Sequence, residues 1–272
     1  MSPLWPERLC IALLPGRMAW VILARGWGKR IRAQGSAPVP PAADGHLWQN
    51  AVEALRRELP DIPIARGKVS VVLSDAFVRY LVINSSSALS DAEERLSLAR
   101  HDFKKIHGVL AETWEIRIAS GERNYLAAAL DGELIGQLRH CFAATKLKLH
   151  SVQPYMVAVF NHCAKQFNGK TAEGLFLPEP HGYCYAGMSG GQWEFFRSGR
   201  WEGDPLETYQ RVVQREALCS GIGARKVWMA PAHEMSFAKN LAQQDGVKLL
   251  PLGAGLPDTQ QAEYLMAMLG AA

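Results

Sequence analysis

The sequence predicts an α/β fold of two βββαβαβα halves, the first carrying a strand–helix–strand–strand insertion. Three observations carry this expectation. Residues 8–35 read as three short strands with tight turns before a helix at 44–58, and residues 174–199 restart that order before a helix at 205–220. A further strand follows the helix in each half, at 68–73 and at 225–230. Residues 76–130 form a small unit complete in itself. The halves share no evident residue identity, so the repeat is one of order. The expected arrangement is two related halves facing each other across a cleft, where ligands commonly sit.

The elements follow from local pattern. Cys10–Leu14 and Met18–Ala24 are apolar runs joined by Pro15-Gly16-Arg17, a hairpin signal. Lys29–Ala33 is the third strand, after Gly26-Trp27-Gly28, and the proline-rich Ser36–Pro41 reads as a loop. From Asp44, Leu47, Trp48, Ala51, Val52 and Leu55 recur at helical spacing until Pro60. Val69–Leu73 is an apolar run interrupted by Ser70 alone, as in a strand covered on both faces. Phe77–Ile83 is a strand with Arg79 pointing outward, and Ser85–Ala88 is a loop. Ser90-Asp91-Ala92-Glu93 opens a helix with a capping-box pattern, and Gly108 stops it. Leu96, Ala99, Phe103 and Ile106 form its packed face. Strands Thr113–Ala119 and Tyr125–Leu130 follow, joined by Ser120–Asn124. Asp131 caps a helix to Thr145, Leu147–Val152 is a strand, and Pro154 starts a helix ending near Gln166.

The polar Asn168-Gly169-Lys170 marks the boundary between halves. The second half holds strands Gly174–Leu177, Gly182–Met188 and Gln192–Ser198, then helix Leu206–Leu218 and strand Lys226–Met229. A helix at 233–243, strand Val247–Leu250 and a last helix at 259–269 complete it. The expected division is a first subdomain of 1–75 and 131–168, an inserted one of 76–130, and a second of 169–272.

Composition excludes several classes. A chain of 272 residues that is 48% hydrophobic can bury one large core or two medium ones. Thirty basic and 26 acidic residues give a net charge of +4, too weak a surplus to point to nucleic acid. The apolar tract Leu9–Ala24 is interrupted at Pro15, Gly16 and Arg17, and carries neither a spanning segment nor a signal-cleavage pattern. Cys10, Cys141, Cys163, Cys184 and Cys219 are odd in number and never within four residues of each other. That disfavours a disulfide framework and a zinc ribbon, and leaves buried reduced thiols of a cytoplasmic protein. His140-Cys141 and His162-Cys163 fall on predicted helices, where neighbours point about 100° apart, so neither pair chelates one ion.

The stretch "VSVVLSDAFVRYLVINSSSALSDAEERLSLARHDFKKIHG", Val69 to Gly108, resembles a segment of the actin-like ATPase superfamily: strand, loop, arginine-bearing strand, then a helix opening on acidic residues. "TWEIRIAS" and "NYLAAALD" resemble its paired strands, and "LIGQLRHCFAATKLKLHSVQPYMVAVFN" the close of its first half. The placement of the insertion resembles the PilM branch, whose relatives include FtsA and the cytoplasmic part of GspL. The resemblance implies two actin-like (ribonuclease H-like) halves. It also implies phosphates cradled at the first hairpin turn and at its equivalent in the second half, with a metal held by an Asp.

The residues depart from that chemistry. The first turn, "LLPGRMAW", has no Asp, Ser or Thr, and Pro15 removes a backbone donor. Gly16 and Arg17 remain there as vestigial phosphate contacts. The second turn falls in "LPEPHGYCYAG" or in "MSGGQW", where Ser189, Gly190 and Gly191 can meet an anion or form an ordinary hairpin turn. The adenosine-side loop is replaced around "VWMAPAHEM", and the larger second-half insertion of actins has no room. No catalytic residue is assigned, and neither ATP with magnesium nor any other cofactor or metal is expected. Glu179, a lone carboxylate between Pro178 and Pro180, is a weak signal for a replacement of the metal-binding Asp. His181 reads as a loop histidine rather than a polar group of the cleft, and Gly253–Pro257 as a plain strand-to-helix turn rather than an anion site. Trp193, Phe195, Phe196 and Trp201 divide between core and an exposed interaction surface.

In PilM-like proteins a partner peptide lies between the insertion and the first half. On that resemblance the partner-binding residues are Arg79 on the entering strand and Arg95, Arg100 and Lys104 on the helix. Arg100 and Lys104 are four apart and share a helical face. Two functions follow. One is a non-catalytic scaffold at the cytoplasmic face of a bacterial inner membrane, binding the short cytoplasmic tail of a membrane protein in a type IV pilus or type II secretion assembly. The other is an ATPase or phosphotransferase with unorthodox residues. The phosphate-loop losses favour the scaffold.

Overall fold

The computed structural model describes residues 7–24, 30–41, 47–84, 91–119, 124–167, 171–220, 226–230, 246–252 and 262–271. In chain order the strands are β1 (Arg8–Leu14), β2 (Arg17–Leu23), β3 (Ile31–Pro38), β4 (Gly67–Leu73), β5 (Val78–Asn84), β6 (Trp114–Ile118) and β7 (Asn124–Asp131). They continue with β8 (Leu147–Pro154), β9 (Glu173–Glu179), β10 (Gly182–Ser189), β11 (Gln192–Gly199), β12 (Lys226–Met229) and β13 (Val247–Leu249). The described helices are α1 (Leu47–Glu58), α2 (Ala92–His107), α3 (Gly132–Ala143), α4 (Tyr155–Cys163), α5 (Pro205–Ser220) and α6 (Ala262–Leu269).

The first sheet has the order β3-β2-β1-β4-β8, and the second has β11-β10-β9-β12-β13. In each, the first three strands are antiparallel and the next two join parallel to the first. The restart seen in the sequence is therefore a repeat of topology. Residues 76–130 supply a third, antiparallel sheet, β5-β7-β6.

By internal contacts the chain forms two units, one of Met1–Phe77, Gly132–His162 and Pro251–Ala272, the other of Val78–Asp131 and Cys163–Leu250. In the first, β4 is buried on both faces from Val69 to Leu73 because both are covered. Gly270, at the end of α6, lies against Ser70 and Val72, while Val69, Val71 and Leu73 point to the other side. The C-terminal helix, expected with the second half, thus packs on the first sheet. Tyr264, Met266, Ala267, Met268 and Leu269 are buried there, and Arg8 Nη1 donates to the Ala271 carbonyl at 2.7 Å.

In the second unit α2 covers one face of the three-stranded sheet through Ala99 and Phe103, over Ile83, Tyr125, Ala127, Ala129 and Ile116. Asp91 caps α2 by accepting the Glu93 N–H at 3.2 Å. The other face of β5 meets the second half: the Tyr80 and Phe196 ring centroids lie 4.3 Å apart, and the Asn124 N–H donates to Gln192 Oε1. The insertion, expected as part of the first half, groups here instead.

Some boundaries differ from the sequence reading. The expected loop Ser36–Pro41 starts as strand, because β3 pairs with β2 as far as Arg17↔Pro38. Pro154 ends β8 rather than opening a helix. Gly108–Thr113 is a 3-10 turn. Trp193, Phe195 and Phe196 are core residues and Trp201 is half-buried, so this hairpin offers no exposed aromatic surface. The helix expected at 233–243 and Gly253–Pro257 lie outside the described residues.

Candidate functional site

The C-terminal ends of β1, β4 and β8 fall on one edge of the first sheet, since the three strands are parallel. Ligands of open α/β sheets bind at such an edge. It gathers the hairpin turn Pro15–Gly16, the segment Ser74–Asp75 and the N-terminus of α4. The Ser74 N–H is tied to the Leu13 carbonyl at 2.8 Å, which fixes Asp75 beside the turn strand.

Two groups at this edge would suit an anion, and both are engaged internally. The first is Arg17. Its Nη1 contacts Glu263 Oε1 on α6 at 3.3 Å; Glu263 is 2% exposed and Arg17 half-exposed. A buried carboxylate is costly without a cation, so this contact holds Arg17 toward the protein. The second is the N-terminus of α4, where unpaired N–H groups and the helix dipole favour negative charge. Asp75, 3% exposed, accepts the Met156 N–H with Oδ2 at 3.0 Å and Oδ1 at 3.2 Å. An incoming phosphate would meet the Asp75 carboxylate there. Pro15 contributes no N–H, and Gly16 gives its carbonyl to the Val39 N–H at 2.9 Å. These residues do not fit a nucleotide with its magnesium.

In the second sheet the equivalent turn is Pro180–His181, between β9 and β10. Ser189, Gly190 and Gly191 form the next turn, between β10 and β11, at the opposite end of β10. They do not pair topologically with Gly16 and Arg17. Gly190 and Gly191 have φ of 59° and 75°, the two positive values of a tight two-residue hairpin turn. At Pro180–His181, Pro178 and Pro180 lack donors, His181 is exposed, and the Glu179 carbonyl accepts Trp201 Nε1–H at 2.8 Å.

The four basic residues of the insertion do not form one patch. Arg95 stacks over Tyr125, with Cζ 4.8 Å from the ring centroid. Arg100 lies five residues on, about 140° around the helix, and is exposed. Lys104 shares the Arg100 flank and holds Glu112 at 2.6 Å. Arg79 alternates with Leu81 and Ile83 on the face that α2 covers, close enough to His107 to act on its charge. Burial, and then the Arg79 guanidinium, hold His107 below its usual pKa. Arg79, Arg100 and Lys104 therefore remain as the candidate basic flank, and Arg95 belongs to the packing of the subdomain.

Sequence reasoning missed Asp75 and Glu263. Each carried a weak signal. Ser74-Asp75 follows a strand that is apolar from Val69 to Leu73 apart from Ser70, and Glu263 is the single acid in the otherwise apolar Ala262–Leu269.

No protein-family model and no curated protein sequence matches the chain. Solved structures do match. The PilM–PilN type IV pilus biogenesis complex aligns with a TM-score of 0.70, covering 97% of this chain and 97% of that one at 11% identity. A Bacteroides thetaiotaomicron protein with an actin-like ATPase fold aligns at 0.63, covering 99% and 98% at 10% identity. The cytoplasmic domain of EpsL, an inner-membrane component of the Vibrio cholerae type II secretion system, aligns at 0.55, covering 97% and 93% at 12% identity. The chain has the actin-like ATPase fold. At these identities the likeness establishes the fold and leaves the chemistry to the residues.

Proposed function

We propose that this chain is a non-catalytic scaffold at the cytoplasmic face of a bacterial inner membrane. It binds the short cytoplasmic tail of a membrane partner in a type IV pilus or type II secretion-type assembly. One observation carries the reading: at the edge where this fold would receive phosphate, Arg17 is held by buried Glu263 and the α4 N-terminus by buried Asp75. A hydrolase or phosphotransferase would need both freed and a metal-binding carboxylate added at the turn. The structural neighbours add support, since one is a PilM–PilN complex and another the cytoplasmic domain of an inner-membrane component. Among the described residues no helix is long and apolar enough to cross a membrane.

The tail docks on the flank of α2 that carries Arg100 and Lys104, with Arg79 beside it. Charge guides the encounter and apolar burial holds it. The test is fluorescence anisotropy with labelled synthetic peptides, one for each cytoplasmic tail of the pilus and secretion inner-membrane proteins of the same cell. We expect one tail to bind, and Arg79→Glu with Arg100→Glu to weaken it about tenfold at unchanged melting temperature. Failure of every tail, or equal binding by the double variant, overturns the assignment.

A further inference from the structure

We infer that the tip at the end of α2 makes direct contact with an anionic lipid surface. Five large apolar side chains are exposed among the described residues, and three fall in one short stretch: Ile106 at 60%, Val109 at 75% and Leu110 at 68%. Leu218 and Leu249 stand apart from them in the sequence. Ile106 sits on the last turn of α2, and Val109 and Leu110 on the 3-10 turn that follows.

The base of the tip is packed. Phe103 and Ala111 are buried, and the rings of Phe103, His107 and Trp114 have centroids 5.0–6.2 Å apart. The exposed side chains therefore project from a fixed platform.

Area and charge select the occupant. Three such side chains present on the order of a few hundred Å². That falls short of the roughly 800 Å² per partner of a stable protein interface. A second copy held by this patch alone would not persist. A lipid surface sets no such minimum, because each apolar group gains separately on entering the acyl boundary. Arg100, Lys104 and Lys105 are exposed beside the apolar group, against Asp102, which is half-buried, and Glu112, which Lys104 already holds. Cations flanking an apolar tip suit the negative headgroup layer of a cytoplasmic leaflet.

At high lipid concentration one such contact gives measurable, reversible binding, and lasting attachment takes two signals. The inference rests on the scaffold reading for the second: a tail-bearing partner fixes the chain at the membrane, and the tip then acts at high local concentration. The lipid contact also fixes which end of the inserted subdomain faces the bilayer.

The experiment is vesicle flotation of the full chain. One set of vesicles mixes phosphatidylglycerol with phosphatidylcholine, and the other is phosphatidylcholine alone. We expect flotation with the anionic vesicles at low salt, weaker flotation at high salt, and little with the neutral set. Val109→Ser with Leu110→Ser should lower the anionic partitioning about tenfold at an unchanged melting temperature. Lys105→Glu should lower it less. No flotation of the unaltered chain, equal flotation on neutral vesicles, or full retention by the double variant overturns the inference. So does light scattering that shows a dimer dissolved by the same variant, because the patch is then a self-interface. Tail-peptide binding, measured on the same variant, separates the two proposals: tails bound without flotation remove the lipid contact and leave the scaffold.

Discussion

Asp75 and Glu263 place the chain's own carboxylates at the end of the first sheet where open α/β sheets commonly bind ligands. Asp75 satisfies the α4 N-terminus from 81 residues away, and Glu263 reaches Arg17 across 246. Such distances explain why neither role was legible in the sequence, where both read as single acids beside apolar runs. Arg17 and Gly16 were legible as turn residues, but their partners were not. Asp75→Ala should cost about 1–3 kcal/mol in urea denaturation, the range for losing a buried cap and leaving a donor unpaired. Asp75→Asn, which keeps an acceptor, should cost less. A second residue-scale expectation concerns His107, whose pKa is lowered from 6.5 by burial first and by Arg79 second. The unfolded chain then binds the proton more readily than the folded one. Stability is full above 6.5 and falls as pH drops from 6.5 through the lowered folded value. Arg79→Gln should raise the His107 midpoint in an NMR titration, and His107→Gln should flatten the fall of melting temperature below about pH 6.5. An unchanged midpoint in Arg79→Gln would separate the two residues.

Elements were the most legible scale, because apolar runs, turn dipeptides and caps are local. β1, β4 and β9–β12 each contain the stretch that the pattern indicates, and β2 holds all of its stretch but Ala24. α2 is capped by Asp91, one residue after the Ser90 that the capping-box spacing indicates. The misses have physical causes. β3 runs on into its proline-rich end because the full length of β2 offers it partners. Ile106 keeps the helical period of Leu96, Ala99 and Phe103, yet it is exposed. Periodicity states which side of a helix a residue occupies and is silent on where the covering surface stops. The hairpin aromatics went to the core for a reason visible at Gly187. A Cβ there would lie 2.2 Å from Phe195 Cε1, so the ring closes over a bare backbone. Gly187→Ala should therefore destabilise the second unit by about 1–3 kcal/mol, the usual cost of overpacking. Chemical denaturation checks this, and a neutral result would show that Phe195 can swing away.

At the scale of the whole molecule, the topological repeat was visible in the order of elements, while the grouping was not. Sequence order placed α6 with the second half, but its apolar side chains are buried on the first sheet. Sequence order also placed the insertion with the first half, but Tyr80 packs on Phe196 of β11. Both groupings arise from faces that need cover, and a one-dimensional pattern shows an apolar face without showing what covers it. The actin-like fold thus persists with Arg17 and the Met156 N–H engaged by carboxylates of the same chain, which is the basis for expecting a scaffold rather than an ATPase. Isothermal titration of ATP with magnesium against the full chain tests this most directly. We expect no saturable heat at micromolar nucleotide, and no thermal shift of the size that about 2.7 kcal/mol of stabilisation gives at a hundred times Kd. A micromolar or tighter dissociation constant would contradict it, and would mean that Asp75 and Glu263 yield the edge to phosphate.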